Sequence, residues 1–550
     1  MFRYPFRPDR LIIIIIFAFF ILALPPIAEA GFNDSPDAYK AAEVDLESAY
    51  WQKVYRSREE KWPREEYKPL GYKKIDDVPF DPRFEIEDLD QGIHGFMETE
   101  IDYDIQKFEN WFRESTKTVL NRVRLEYSKR TVIDDVDVEF LGSVDGRTNI
   151  YDVNYSLYRD NRFDLRELWA KWLLTDFSFK FGRQIFNWGV VKGDRPSDFL
   201  NPQDYYKWLV PPHEDRKIPV WGVSARMYLN PTNDLELAWL PFYENSRKAS
   251  NNTDWLTENQ RKVEYWRTQG KVNPVIQEIT PDEEVKNGTV ALRYRSITPE
   301  ENDTDFYMSF ITGWEYDPLL VKGDLIRVGS EDIPTRIRLL HERRKSLAFG
   351  WETAYFYDKE QGGSGKLGLR GESCITFDKP FARRYINSTG EDIVKKIYLE
   401  SVTEIDHSFD EESLYMNLQM RFDAILDHDE FVDRVDSTIR VRYQFSHDLT
   451  SLMNSLNRYS AETMHWLKTG DLKKEVSTSM FKPGRLNLNG LFDYDFTLND
   501  YFTRFWLWYQ MSSSLHMETG INSFGGNSKV ERYSQFDDND EFFLSLKYGF

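Results

Sequence analysis

The sequence ends in EFFLSLKYGF, residues 541–550. Phe542, Leu544, Leu546, Tyr548 and Phe550 fall on alternate positions, with Phe543, Ser545, Lys547 and Gly549 between them. A helix would spread this apolar set around its circumference, whereas a strand puts all five on one side. Chain ends are usually polar and frayed. An apolar strand that stops on a phenylalanine therefore predicts a greasy surrounding, either a protein core or a lipid bilayer.

The same alternation recurs upstream. In GFMETEIDYDI (95–105), Met97, Thr99, Ile101, Tyr103 and Ile105 oppose Glu98, Glu100, Asp102 and Asp104. In SLYMNLQMRFDA (413–424), Leu414, Met416, Leu418, Met420 and Phe422 oppose Tyr415, Asn417, Gln419, Arg421 and Asp423. In STIRVRYQF (437–445), Ile439, Val441, Tyr443 and Phe445 oppose Thr438, Arg440, Arg442 and Gln444. RLNLNGLFDYDF (485–496) repeats the pattern. Such runs are about 9–11 residues long, the length of a tilted bilayer-spanning strand. Strands of soluble sandwiches run nearer to about 5–6 residues. A soluble all-β domain, with 541–550 as a buried core strand, is the alternative.

The connections carry a second signal. Thr175-Asp176, Asn230–Asp234 and roughly 298–304 are short, while about 189–217, 243–287 and 315–333 are long. Short turns alternating with long loops match an outer-membrane barrel, with the short side in the periplasm. The parity is lost after about residue 340. The predicted fold is all-β, a closed antiparallel transmembrane β-barrel of roughly 16–18 strands over 94–550.

The N-terminus agrees. Arg3, Arg7 and Arg10 precede LIIIIIFAFFILAL (11–24), followed by Pro25, Pro26 and Ala28-Glu29-Ala30. This predicts a signal peptide over 1–30 with cleavage after Ala30. The apolar run falls short of the roughly 20 residues of a membrane helix. Residues 31–93 are charged and broken by Pro63, Pro69, Pro79 and Pro82, with a candidate amphipathic helix in EVDLESAYWQKVYRSREEKW. They read equally as a periplasmic plug and as a disordered leader.

Composition narrows the class. Aromatics make up 16% of the chain and charged residues 30%, with a net charge of -21. That pairing fits a wall oily on one face and wet on the other. The acidic balance argues against nucleic acid. A single cysteine, Cys374, excludes an internal disulfide. The predicted location is the outer membrane of a Gram-negative bacterium, with lipid and lipopolysaccharide as surroundings.

The inward faces hold the functional candidates. Arg122 and Arg124, Arg293 and Arg295, Arg336 and Arg338, and Arg440 and Arg442 are pairs two apart. Each pair shares a strand face and would form a pore-lining rung, and rings of Arg select anions. Acidic rungs at Glu98 to Asp104 and at Asp493 and Asp495 offer a second reading, in which acids and arginines brace the wall.

The densest motif is FKFGRQIFNWGVVKGDRPSDFLNPQDYYKWL, residues 179–209. Alternation sends Phe177, Phe179 and Phe181 to lipid and Ser178, Lys180, Gly182 and Gln184 inward. Gly189 and Gly193 let the chain turn, and Pro196 and Pro202 stiffen it. Asp194, Asp198 and Asp204 sit among Lys192, Arg195 and Lys207, as a loop folded into the pore would require. Gly182-Arg183-Gln184, Trp188-Gly189 and Asn201-Pro202-Gln203-Asp204 resemble the GRQ…WG…NPxD signature of large proteobacterial outer-membrane barrels. These are allied to alginate-export porins and the wider porin superfamily. The resemblance is specific over about 165–240. It implies a channel of monomeric type, and in the alginate exporters an electropositive lumen. It also implies that the terminal aromatic, here Phe550, is read by the barrel-assembly machinery. Arg183 bonded to loop carboxylates, merely pinning the loop, explains the motif as well.

No enzyme is predicted. The eight histidines form no zinc spacing, and G-x-S-x-G and P-loop motifs are absent. His447-Asp448 and Asp427–Glu430 read as polar turns, and Asp537–Asp540 lacks the glycine and spacing of a calcium loop. No metal or cofactor is expected. Three readings remain: a channel for small or polymeric, anionic solutes; a loop-borne binding or adhesion protein; and a rim-located hydrolase.

Overall fold

Eighteen strands close on themselves in a computed structural model. It describes residues 92–550 apart from 106–115, 134–135, 154–155, 231, 250–252, 283, 299–303, 324, 330, 358–364, 384–392, 410–413, 433, 451–484 and 528–531. The signal peptide and nearly all of 31–93, including its candidate helix, lie outside the described residues.

The wall begins with β1 (Gly92–Asp104), β2 (Thr116–Ile133), β3 (Val136–Val153), β4 (Ser156–Leu173), β5 (Phe177–Gln184), β6 (Val220–Asn230) and β7 (Asn233–Leu240). β8 (Val275–Ile279) leaves the wall, which resumes with β9 (Thr289–Thr298) and β10 (Thr304–Trp314). β11 (Leu319–Lys322), β12 (Leu325–Val328), β13 (Glu331–Pro334) and β14 (Arg336–Leu340) lie outside it again. The rest are β15 (Arg343–Tyr357), β16 (Gly365–Ala382), β17 (Ile393–Phe409), β18 (Leu414–Leu426), β19 (Ser437–Asp448), β20 (Leu486–Asp495), β21 (Asp500–Gln510), β22 (Leu515–Gly526) and β23 (Glu541–Gly549).

Every wall strand pairs antiparallel with its sequence neighbour in the wall, and β1 pairs with β23. That last seam runs from Phe96 opposite Gly549 to Asp104 opposite Glu541. It continues past the strand end, where Phe550 and Gly95 exchange backbone hydrogen bonds of 2.9 and 3.0 Å. Closure leaves no open edge, which a sheet in hydrocarbon cannot tolerate.

The period of two fixes the faces. Met97, Val123, Leu125, Phe181, Met308, Phe310, Met420, Ile439, Phe505 and Leu546 are exposed on the outer face. Asp102, Arg124, Arg370, Glu404, Asn417 and Asp493 are buried on the inner one. Apolar outside and charged inside is the arrangement of an outer-membrane barrel. The alternation cannot be reversed locally, because a one-residue slip would present the charged set to lipid.

The strand ends joined by the short connections 174–176, 231–232, 299–303, 358–364 and 410–413 lie at one end, which also carries both ends of the wall sheet. Connections 185–219, 241–288 and 315–342 mark the other. The parity breaks because 449–485 is a long connection on the short-turn side, while 496–499 is a short one opposite it. The expected strand length is also too small in places: β2, β3, β4 and β16 each run 18 residues. Strands of that length rise beyond the hydrocarbon layer.

Candidate functional site: the lumen and its crossing loop

Two residues before the end of β5 stands Gly182, whose φ is +135°. A Cβ there would lie 2.1 Å from the Leu168 carbonyl oxygen, so only glycine fits the close strand approach. Residues 185–219 then turn inward. Phe186, Trp188 and Leu200 pack against Val220, Ala238, Leu240, Ala291 and Ile311 of the adjacent wall. The small alanines make room for the indole and phenyl rings.

Asn201 ties the base of the loop. Its Oδ1 accepts from the Phe186 amide at 2.7 Å, and its Nδ2 donates to the Ile218 carbonyl at 2.9 Å and the Gln184 carbonyl at 3.3 Å. Gln184 donates to the Gly222 carbonyl at 3.1 Å, and the Ile218 amide donates to the carbonyl of the buried Pro202. These motif residues hold backbone. Gly189 is also structural, since a Cβ would meet the Arg195 side chain at 2.4 Å.

Beneath the tip, Lys217 bonds to Asp198 and Asn187 and reaches Glu214 at 3.1 Å. Arg195 pairs with Glu214 and lies 3.5 Å from Asp198. Burial raises the Asp198 carboxyl, but Lys217, with His213 and Arg195 beside it, outweighs burial and holds it well below the usual range.

Burial also pushes the His213 imidazole below its ordinary value of 6.5. Below that pH an unfolded chain binds a proton that the folded loop refuses, so unfolding is favoured as pH falls. The His213 contribution is therefore fully present above its unfolded value and is lost as pH drops toward the folded one. Unfolding free energy should fall more steeply between about pH 7 and about pH 5 in the native protein than in His213→Gln. Denaturant titration checks this, and identical slopes would discard it.

The loop touches walls on several sides. Asp204 pairs with Arg147 of β3 at 3.0 Å, and the Arg147 guanidinium stacks 3.8 Å from the Tyr206 ring centroid. Lys207 reaches Glu100 at 2.6 Å and Asp102 at 2.9 Å on β1, and Glu541 of β23 at 3.8 Å. Burial lowers the Lys207 ammonium, yet Asp102, Glu100 and Glu541 together hold it well above its ordinary value. Asp194 pairs with Arg532 and, at 3.2 Å, with Arg440 of β19. Val190, Val191, Lys192 and Ser197 reach Glu372 and Glu404 on β16 and β17. The loop therefore crosses the interior.

The arginine rungs divide. Arg122 and Arg124 both grip Asp145, at 2.8 and 2.9 Å, and lie 3.6 and 3.8 Å from Asp215 in the crossing loop. Arg295 pairs with Asp234 at 2.9 Å. Arg442 pairs with Asp493 at 2.7 Å, and Arg440 sits between Asp493 and Asp194. Arg293 stacks on Tyr307, 4.4 Å from its centroid, and on Trp188, at 5.8 Å. Arg336 and Arg338 correct the expectation of a fourth rung. They lie on β14, which pairs with β8 and β11 in a separate three-stranded sheet on the long-loop side. Their alternation is real, but its faces are those of a small loop-borne sheet.

Arg183 does pin a loop, though not its own. It forms a two-pronged pair with Glu244 of the next connection, at 2.9 and 3.0 Å. Sequence reading missed Glu372, Glu404, Asp406 and Arg370. The alternating run LGLRGESCITF (367–377) carried the signal for Arg370 and Glu372, but not what they would meet.

Two recesses flank the loop. One, of about 470 Å³, is lined by six cations (Arg122, Arg147, Arg166, Arg183, Lys217, Arg247) and four carboxylates (Asp145, Asp164, Asp204, Asp215). The other, of about 220 Å³, lies between the loop tip and β17–β20, with Arg421, Arg440 and Arg442 against Asp194 and Asp493. Among the described residues no group of His, Cys, Asp and Glu is placed to hold a metal ion.

No protein-family model matches the chain, and no curated protein matches it. The GRQ…WG…NPxD resemblance therefore rests on its motif residues alone. Among solved structures the chain is similar to OccAB4 of Acinetobacter baumannii, at 8% identity over 84% of this chain and 98% of that one, with a TM-score of 0.43. It is similar to OccK5 (OpdH) of Pseudomonas aeruginosa, at 9% identity over 83% and 98%, TM-score 0.41. It is also similar to the Pseudomonas aeruginosa outer membrane protein OpdK, one structure of which contains vanillate, at 8% identity over 83% and 98%, TM-score 0.42.

Proposed function

We propose that this outer-membrane barrel is a channel for small anionic solutes, which pass a constriction made by residues 185–219. The observation that carries the reading is the cation surplus beside the loop. The linings of both recesses hold more arginine and lysine than carboxylate, the carboxylate partners of Arg183, Lys217 and Arg421 lying outside those linings, and Arg293 adds a guanidinium stacked on rings. Such surplus charge, confined between low-dielectric walls, concentrates anions. A loop anchored to walls on several sides leaves small passages beside it, which favours small solutes over a polymer.

Reversal potentials in asymmetric salt, across a planar bilayer holding the protein, test this. The native channel should prefer anions. Arg440→Ser with Arg442→Ser leaves the smaller recess with two carboxylates and one cation, so preference should move toward cations. A native preference for cations, or an unmoved reversal potential in the double variant, defeats the reading.

A loop-borne binding protein is the second reading, and one observation favours it. β8 is an edge strand whose Val275, Ile276 and Ile279 are all exposed on the long-loop side. Deleting 243–287 should then abolish adhesion to cells or surfaces while conductance persists.

A further inference from the structure

The tip of the crossing loop, Val190–Ser197, is held unlike its base. Trp188 and Leu200 on either side are buried in an apolar cluster. The tip between them is held by polar contacts: Asp194 pairs with Arg440 and Arg532, Gln419 donates to the Lys192 carbonyl, and carboxylates of the opposite wall take up its amides. Glu372 Oε1 accepts from the Val190 amide and from the Val191 amide at 2.8 Å. Its Oε2 accepts from the Ser197 hydroxyl at 2.6 Å and the Ser197 amide at 3.2 Å. Glu404 Oε2 accepts from the Lys192 amide at 2.6 Å, and the Lys192 ammonium sits 3.3 Å from Asp406.

Converging backbone N–H groups of this kind form an anion-binding concavity. Here the wall itself supplies the anion. The fit is close at its centre: Gly193 has φ +84°, and a Cβ there would lie 1.9 Å from an Arg442 nitrogen. The tip cannot settle deeper, so its freedom is to lift away.

We propose that Val190–Ser197 is a carboxylate-binding gate, with Glu372 and Glu404 as built-in stand-ins for the solute. A carboxylate arriving from the cation-rich recesses takes over the amides of Val190, Val191, Lys192 and Ser197. The wall carboxylates return to water and to Arg370, which already bonds Glu404 at 2.8 Å, and the tip lifts. No covalent bond changes. The inference rests on the channel reading, but its test does not need current.

Amide hydrogen exchange of the full-length protein in detergent, read by mass spectrometry over residues 189–198, gives that test. Native protein in sodium chloride should exchange slowly at the tip, and sodium acetate at equal ionic strength should speed it. Glu372→Gln places an amide nitrogen where the Ser197 donors need an acceptor, so exchange should rise about tenfold without acetate. Acetate should then add little. If Glu372→Gln fails to fold, a tether replaces it. Val190 Cγ2 lies 3.6 Å from where a Cβ on Gly350 would sit. Val190→Cys with Gly350→Cys, in a Cys374→Ser background, should suppress the acetate effect until the disulfide is reduced. Native exchange indifferent to acetate, or a tethered loop that still responds, overturns the gate. Phosphate acting where acetate does not overturns the carboxylate assignment. A protein that carries no current but passes the exchange test keeps the gate and loses the channel.

Discussion

Lys207→Met should lower the unfolding free energy by about 3–5 kcal/mol, the range for removing one partner from a buried ion cluster. Lys207 is buried in the crossing loop and faces Glu100, Asp102 and Glu541. Asp102 and Glu541 are almost wholly buried too, so water cannot replace the lost ammonium. Nor can the segment simply swing out. Asp204 is tied to Arg147, the Tyr205 amide donates to the Arg247 carbonyl at 2.8 Å, and Trp208 and Leu209 pack on Phe502, Phe524 and Phe536. Three carboxylates would then sit together with only the Arg504 guanidinium acting on Glu100, each raising the cost of ionising the others. Urea unfolding followed by tryptophan fluorescence measures the loss. Adding Asp102→Asn to Lys207→Met should recover part of it, because one of the stranded charges goes with it. An unchanged midpoint for Lys207→Met would mean that the cluster is hydrated and that the loop is not fastened there.

Excising the loop tip should raise single-channel conductance several-fold. The tip is a closed excursion: the Trp188 amide lies 3.4 Å from an Asp198 carboxylate oxygen. A two-residue Gly-Ser bridge can therefore replace Val190–Ser197 while Trp188 and Leu200 stay in their apolar cluster. What disappears is the part that reaches Glu372, Glu404 and Arg440 on the far wall. An 18-stranded cylinder is wide enough for a water channel, so the current is limited by what crosses it. Planar-bilayer recordings at fixed salt give the comparison. Equal conductance in the two proteins would place the narrowest point elsewhere, at the apolar cluster of Trp208, Trp255, Phe502 and Phe536 or at a segment outside the described residues.

Much of the wall was legible one residue at a time. Ile439, Val441 and Tyr443 against Arg440 and Arg442 is a statement about a single strand, because the face of each side chain follows from its parity. Phe550 needed only its four alternate neighbours. The short turns at 174–176 and 230–234 were legible because two strands joined by a few residues must be antiparallel neighbours. Arg336 and Arg338 show where parity stops: it states which residues share a face, but not which sheet owns it. The lost parity after residue 340 has the same root, since a connection's length does not say at which end it lies.

The crossing loop was legible in composition and not in place. Gly189, Gly193, Pro196 and the alternating Asp and Arg announce a stiff, charged excursion. Nothing local says that Asp194 meets Arg440, or that Ser197 meets Glu372 across 175 positions of chain. Alone, the sequence determined an oily outer face, a charged inner face and a wall that must close, because those follow from a two-residue period and the intolerance of hydrocarbon for bare backbone. Only the tertiary structure decided which arginines are neutralised and where the loop rests, because ion pairing depends on distances between strands that sequence order does not encode.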